Sequence, residues 1–87
     1  MKALIIEDEE NIAEHLTRIL SEVAPNIEIL DIISTVKGAK RWFMQHAEPD
    51  LIFMDIQLAD GISFEIFEHF QLLKKAISKS TLKKIFG

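Results

Sequence analysis

Apolar and polar positions divide the chain into short blocks of contrasting period. Ala3 to Ile6 is an unbroken apolar run that ends in four acids, Glu7, Asp8, Glu9 and Glu10. Leu51 to Met54 is a second such run and ends in Asp55. Runs of this length, bounded by turn residues, read as strands buried on both faces, and such strands belong to a parallel sheet with helices above and below. Between the runs, Ile12, Leu16, Ile19, Leu20 and Val23 share one face of a 3.6-residue period and predict a first helix over 9–23. Asp8 is placed to cap that helix, and acids in its first turn oppose the helix dipole. Pro25-Asn26 ends it. Ile27 to Ile33 predicts a second strand, which Glu28 and Asp31 mark as an edge.

Thr35 to Ala47 predicts a second helix with a buried stripe of Val36, Ala39, Phe43 and Ala47, flanked by Trp42 and Met44. Ser34 or Thr35 can cap its start. Gly38 weakens it by about 1 kcal/mol relative to Ala, a hint of close packing at that point. Trp42 reads as an amphipathic residue at the core boundary rather than as a partner surface. Glu48-Pro49-Asp50 then launches the third strand. Past the Asp60-Gly61 turn, Ile62, Ile66, Phe67, Phe70, Leu73 and Ile77 step at helical spacing, which predicts a third helix from Ser63 that continues past Gln71. A short final helix over 80–86 would bury Leu82, Ile85 and Phe86.

The chemistry gathers where the two apolar runs stop. If the strands lie parallel and adjacent, their terminal carboxylates meet at the carboxyl edge of the sheet, where the loops of open α/β sheets form ligand crevices. A strand-end Asp taken alone reads equally well as a helix cap. Clustered carboxylates repel one another, and a hard divalent cation with oxygen ligands, Mg²⁺, is the natural relief. Glu9 and Glu10 read as solvated first-turn residues. His15, His46 and His69 fall in three different predicted helices, away from that edge and at no metal-ligand spacing. A His-based triad, a zinc site and a glycine-rich phosphate loop find no support.

Composition narrows the class. Eighty-seven residues make one small domain, burying about 60–68% of the surface of its unfolded chain. With no cysteine, disulfide and thiolate chemistry are excluded. No signal peptide and no apolar segment near the roughly 20 residues of a membrane span is visible, so a cytoplasmic protein is expected. Residues 1–70 carry five basic and fourteen acidic groups, a balance of −9, whereas residues 71–87 carry five lysines and no acid. An acidic body argues against direct nucleic-acid binding.

LIIEDE at the start and PDLIFMDIQLADG some forty residues on together resemble the receiver domains of two-component response regulators, particularly those that precede LytTR-type DNA-binding domains. The resemblance covers 1–70, the motifs come in the family's order, and the joint pattern is far more specific than either half. It implies a flavodoxin-like fold, here shortened at the C-terminus to a three-stranded parallel sheet in order 2-1-3 with flanking helices. It implies no enzyme but a phosphoacceptor, Asp55, served by a histidine kinase or phosphotransfer protein. It also implies a Mg²⁺ site made by Glu7, Asp8, Asp55 and the backbone carbonyl of Gln57, with Gly61 turning the loop into the third helix.

Beyond Phe70 the chain departs from the family. No strand-like run bounded by turns follows, and no Ser or Thr stands in the strand context where the family hydrogen-bonds the phosphoryl group. LLKKAIS resembles the LLKPI that follows the family's fifth strand, which would make Lys74 a relic of the phosphate-pairing lysine; the plainer reading is a surface lysine. No Tyr is present to act as the family's aromatic switch, and Leu58-Ala59 stands where Met-Pro is common. Residues 71–87 are thus expected as a basic helical tail in place of the missing βα units. The third strand would keep one bare edge, which a second copy in a homodimer would cover. Two other functions stay open: a truncated receiver that acts only as a dimerisation module, and a haloacid dehalogenase-like phosphohydrolase. The latter needs a second Asp two residues beyond the first, where Gln57 stands.

Overall fold

The computed structural model describes residues 1–55, 57–62 and 76–78. In chain order the elements are β1 (Lys2–Ile6), α1 (Glu10–Val23), β2 (Glu28–Ile33), α2 (Val36–Gln45), β3 (Leu51–Met54), β4 (Gln57–Leu58), β5 (Gly61–Ile62) and β6 (Ala76–Ser78). The main sheet has the order β2-β1-β3-β6, and every neighbouring pair in it is parallel. The order 2-1-3 is the one the sequence predicts. β4 and β5 form a separate antiparallel pair.

Successive residues of a strand point to opposite faces, and the continuous apolar runs use both. Ala3 and Ile5 of β1 join Phe53 of β3 on one face, where Ala13, Leu16 and Leu20 of α1 cover them. Leu4, Ile6, Ile52 and Met54 point the other way into Val36, Ala39, Trp42 and Phe43 of α2. Ala3, Leu4, Ile5, Ile6 and Ile52 are wholly buried, as a central strand pair in a parallel sheet demands. β2 is the edge, with Glu28, Asp31 and Ile32 exposed. A bulge between Ala3 and Leu4 lets the register step from Ile29 to Asp31, so that Ile29 packs on the α1 side and Leu30 on the α2 side.

The helix ends differ in part from the sequence pattern. Glu9, not Asp8, is the N-cap of α1, and it makes no side-chain capping bond. Asp8 lies instead beside Glu7 and Asp55. Thr35 caps α2 as expected, its Oγ1 accepting from Gly38 N at 2.9 Å. The helix stops at Gln45, so Ala47, expected in the buried stripe, is exposed. Trp42 is buried deeper than a boundary residue, edge-on to Phe43 and stacked on His46. Close packing at Gly38 is real: a Cβ there would meet Thr35 Oγ1 at 2.8 Å and Ile33 Cγ2 at 3.2 Å.

The largest departure is at the far edge of β3. The helical spacing places Ile77 on a continuing helix, yet Ala76–Ser78 is a strand, paired with Ile52–Met54. The tail over 71–87 is therefore not wholly helical, and the edge expected to be bare is covered within the chain. Unpaired N–H and C=O groups on a buried strand outweigh the small preference of three residues for helix. The predicted third helix from Ser63, the final helix over 80–86, Lys74 and His69 lie outside the described residues. Among the described residues no helix is long and apolar enough to cross a membrane.

Candidate functional site: an acidic cluster at the carboxyl edge

Ile6 pairs with Met54, so Glu7 and Asp55 leave the sheet level with one another. Both strand ends continue the ladder by one bond. Glu7 N donates to Ile33 O and Asp55 N donates to Ile6 O, each at 2.9 Å. These bonds fix the two backbones from which the carboxylates project. Asp8 follows directly, and carboxylate oxygens of Glu7, Asp8 and Asp55 all lie within 4.8 Å of one another. Glu7 is buried, Asp55 half-buried and Asp8 exposed, so the cluster opens to solvent on one side. Glu7 Oε1 also accepts from Glu9 N at 3.3 Å, holding the turn into α1.

The donor set fits a hard cation. Mg²⁺–oxygen distances of about 2.0–2.1 Å put octahedral ligand oxygens about 3 Å apart when adjacent and about 4 Å when opposite. Oxygens within 4.8 Å of one another are close to that spacing. A cavity of about 440 Å³, lined by Glu7, Asp8, Glu10, Glu14, Ile32 and Ser34 among others, opens beside the cluster between α1 and the end of β2. It leaves room for water and for an anionic group carried in with a cation.

Of the residues singled out in the sequence, Glu7, Asp8 and Asp55 are brought together. Gln57 opens β4, two residues past Asp55. Gly61 takes φ 154°, a backbone conformation that L side chains rarely adopt, which is why glycine stands at that turn. One residue was missed. Ser78 ends β6 in register with Met54, one residue short of Asp55. That is a strand-end hydroxyl residue beside the third strand, the context expected to be empty. The signal was weak, since Ala-Ile-Ser shows no turn boundary and continues a helical spacing.

No protein-family model matches the chain. It is similar to the sensory transduction protein LytT of Bacillus cereus, 36% identical over 66 residues, which are 76% of this chain and 26% of that protein. The chain thus spans about a quarter of the length of that relative. Among solved structures it is similar to the response regulator PhyR from Brucella abortus, with a TM-score of 0.72 and 26% identity, covering 88% of this chain and 32% of that one. The fold is also that of the non-phosphorylated HemR receiver domain from Leptospira biflexa, with a TM-score of 0.66 and 24% identity over 88% of this chain and 63% of that one.

Proposed function

The chain is a receiver domain of the response-regulator kind, and we propose that it accepts a phosphoryl group on Asp55 in a phosphorelay, with Mg²⁺ held by Glu7, Asp8 and Asp55. The observation that carries this reading is the convergence of three carboxylates from two parallel strand ends to within 4.8 Å. Bound there, Mg²⁺ would neutralise the charge that otherwise keeps a phosphate away from three acids. A carboxylate oxygen of Asp55 attacks phosphorus, the bond from phosphorus to the donor's leaving group breaks, and an acyl phosphate forms on Asp55. Glu7, buried and fixed by its backbone bond to Ile33, supplies a pre-oriented carboxylate to the cation. Asp8 and the backbone carbonyl of Gln57 complete the protein ligands in this reading.

Ser78 takes the strand-end position on β6 that the sequence left empty, in backbone register with Met54. Lys74 belongs to the reading only as a possible pairing cation, outside the described residues. In this reading the chain is the substrate of a histidine kinase or phosphotransfer protein rather than an enzyme, and it works in the cytoplasm. A dehalogenase-like hydrolase lacks its second acid, because Gln57 stands two residues past Asp55. The homodimer expected from a bare β3 edge loses that ground, since Ala76–Ser78 lies on the edge. Light scattering decides it against 10.0 kDa for one chain.

The test is reaction with acetyl phosphate or beryllofluoride with and without Mg²⁺, read by intact mass and Trp42 fluorescence. Saturable, Mg²⁺-dependent modification that disappears in Asp55→Asn is the expected result. Modification that persists in the variant, or none in the wild type, would overturn the assignment.

A further inference from the structure

Asp60 lies in the turn between β4 and β5, yet both its carboxylate oxygens serve a different element. Oδ1 accepts from Val36 N at 2.8 Å and Oδ2 from Lys37 N at 3.1 Å. With Thr35 Oγ1 accepting from Gly38 N, the first three N–H groups of α2 are all satisfied by side chains, one local and one from 24 residues away. The helix needs this. Its first turn, Val36-Lys37-Gly38, holds no acid and one cation, opposite to what a helix N-terminus favours, and Asp60 brings the missing negative charge from outside. Donation by these two amides holds the Asp60 carboxyl below the usual carboxylate range.

The same contact determines where the loop can go. Leaving Asp55, the chain runs through Gln57 and Leu58, turns at Ala59-Asp60 and returns through Gly61 and Ile62, with Gln57 paired to Ile62 and Leu58 to Gly61. Leu58 is buried in the α2-side core. The hairpin is thus pinned twice, by Leu58 into the core and by Asp60 onto the helix. Gln57 lies between Asp55 and those pins and is itself paired with Ile62.

We propose that Asp60 is a positioning residue for the acidic site: by capping α2 from the hairpin it holds the backbone at Gln57 beside Asp55 in the arrangement that binds a divalent cation. This rests on the reading of the cluster as a metal and phosphoacceptor site. Coupling of this kind is reciprocal, so a cation bound at the cluster stabilises the start of α2 by the same factor.

The experiment compares wild type, Asp60→Ala, Asp60→Asn and Thr35→Ala in the whole chain, measuring Mn²⁺ affinity by electron paramagnetic resonance of the free ion alongside thermal unfolding. Thr35→Ala removes a cap from the same helix without touching the hairpin. Expected are a loss of affinity of roughly threefold or more in Asp60→Ala, partial recovery in Asp60→Asn, which keeps one acceptor oxygen, and wild-type affinity in Thr35→Ala despite its lowered stability. Unchanged affinity in Asp60→Ala would overturn the proposal. So would an equal loss in Thr35→Ala, which would make the effect a general loosening of α2. If wild type binds no Mn²⁺, the reading of the cluster itself falls, a result distinct from either.

Discussion

Replacing Asp55 by Asn should make the metal-free protein more stable, because the cluster holds like charges together. With carboxylate oxygens within 4.8 Å, each pair repels by about 1 kcal/mol at the dielectric of water and about 3.5 kcal/mol at an effective dielectric of 20. The pair with exposed Asp8 belongs near the lower value and the pair with buried Glu7 nearer the upper. Asn keeps the shape and an acceptor oxygen and loses both repulsions, which together come to about 4 kcal/mol; giving up the interactions that the Asp55 carboxylate already makes offsets about half of that, for a net gain of about 2 kcal/mol. At about 4–8 °C per kcal/mol for a domain of this size, Tm rises by about 8–16 °C. The assay is thermal unfolding in EDTA at low salt, then with increasing Mg²⁺. Wild type should gain stability as Mg²⁺ is added and the variant much less, so that the gap between them narrows or reverses. Raising the salt should shrink the part due to Asp8, which is screened by solvent, more than the part due to Glu7. A variant less stable than wild type in EDTA would refute the reasoning, since it would mean that the interactions Asp55 gives up outweigh the repulsion it relieves.

Gly38→Ala should destabilise the protein by about 1 kcal/mol in urea unfolding, although Ala is the better helix former, because the new Cβ would displace the Thr35 hydroxyl from its capping position. Leu4→Ala opens a void at the wholly buried centre of β1 and should cost about 2–5 kcal/mol, a large share of the stability of a domain of this size, read as a lowered midpoint of urea unfolding by circular dichroism. The Asp60 carboxyl is held below its usual value in the folded protein, so its contribution is fully present above that usual value and is lost as pH falls through the lower folded one. Acid titration should therefore weaken wild type more steeply than Asp60→Asn below about pH 4, and parallel curves would refute the assignment.

The parts of the fold carried by continuous apolar runs were legible in the sequence. Ala3–Ile6 and Leu51–Met54 admit little besides buried strands, and Glu7, Asp8 and Asp55 follow from where those runs stop. β2 was readable as an edge because Glu28 and Asp31 have no place in the middle of a parallel sheet. Ala76–Ser78 was not, because three residues carry no period of their own and become a strand only in answer to the unpaired edge of β3. Ser78 was overlooked for the same reason. The capping bond of Asp60 was equally invisible. Asp60-Gly61 announces a turn, but nothing local says that its carboxylate reaches a helix 24 residues earlier.

The pairing of β6 with β3 has a consequence for the nascent chain. β1, made first, lies inside the sheet, and each later strand adds on one side or the other. Met54 leaves the ribosome ahead of Ser78, and the edge of β3 stays open until Ser78 follows, 24 residues later. At about 5–20 residues per second that interval lasts about 1–5 s. During it an apolar strand with unpaired backbone groups is presented while the ribosome is still engaged, the form most prone to pairing with another chain. Slower synthesis lengthens that interval and should lower the yield of folded protein.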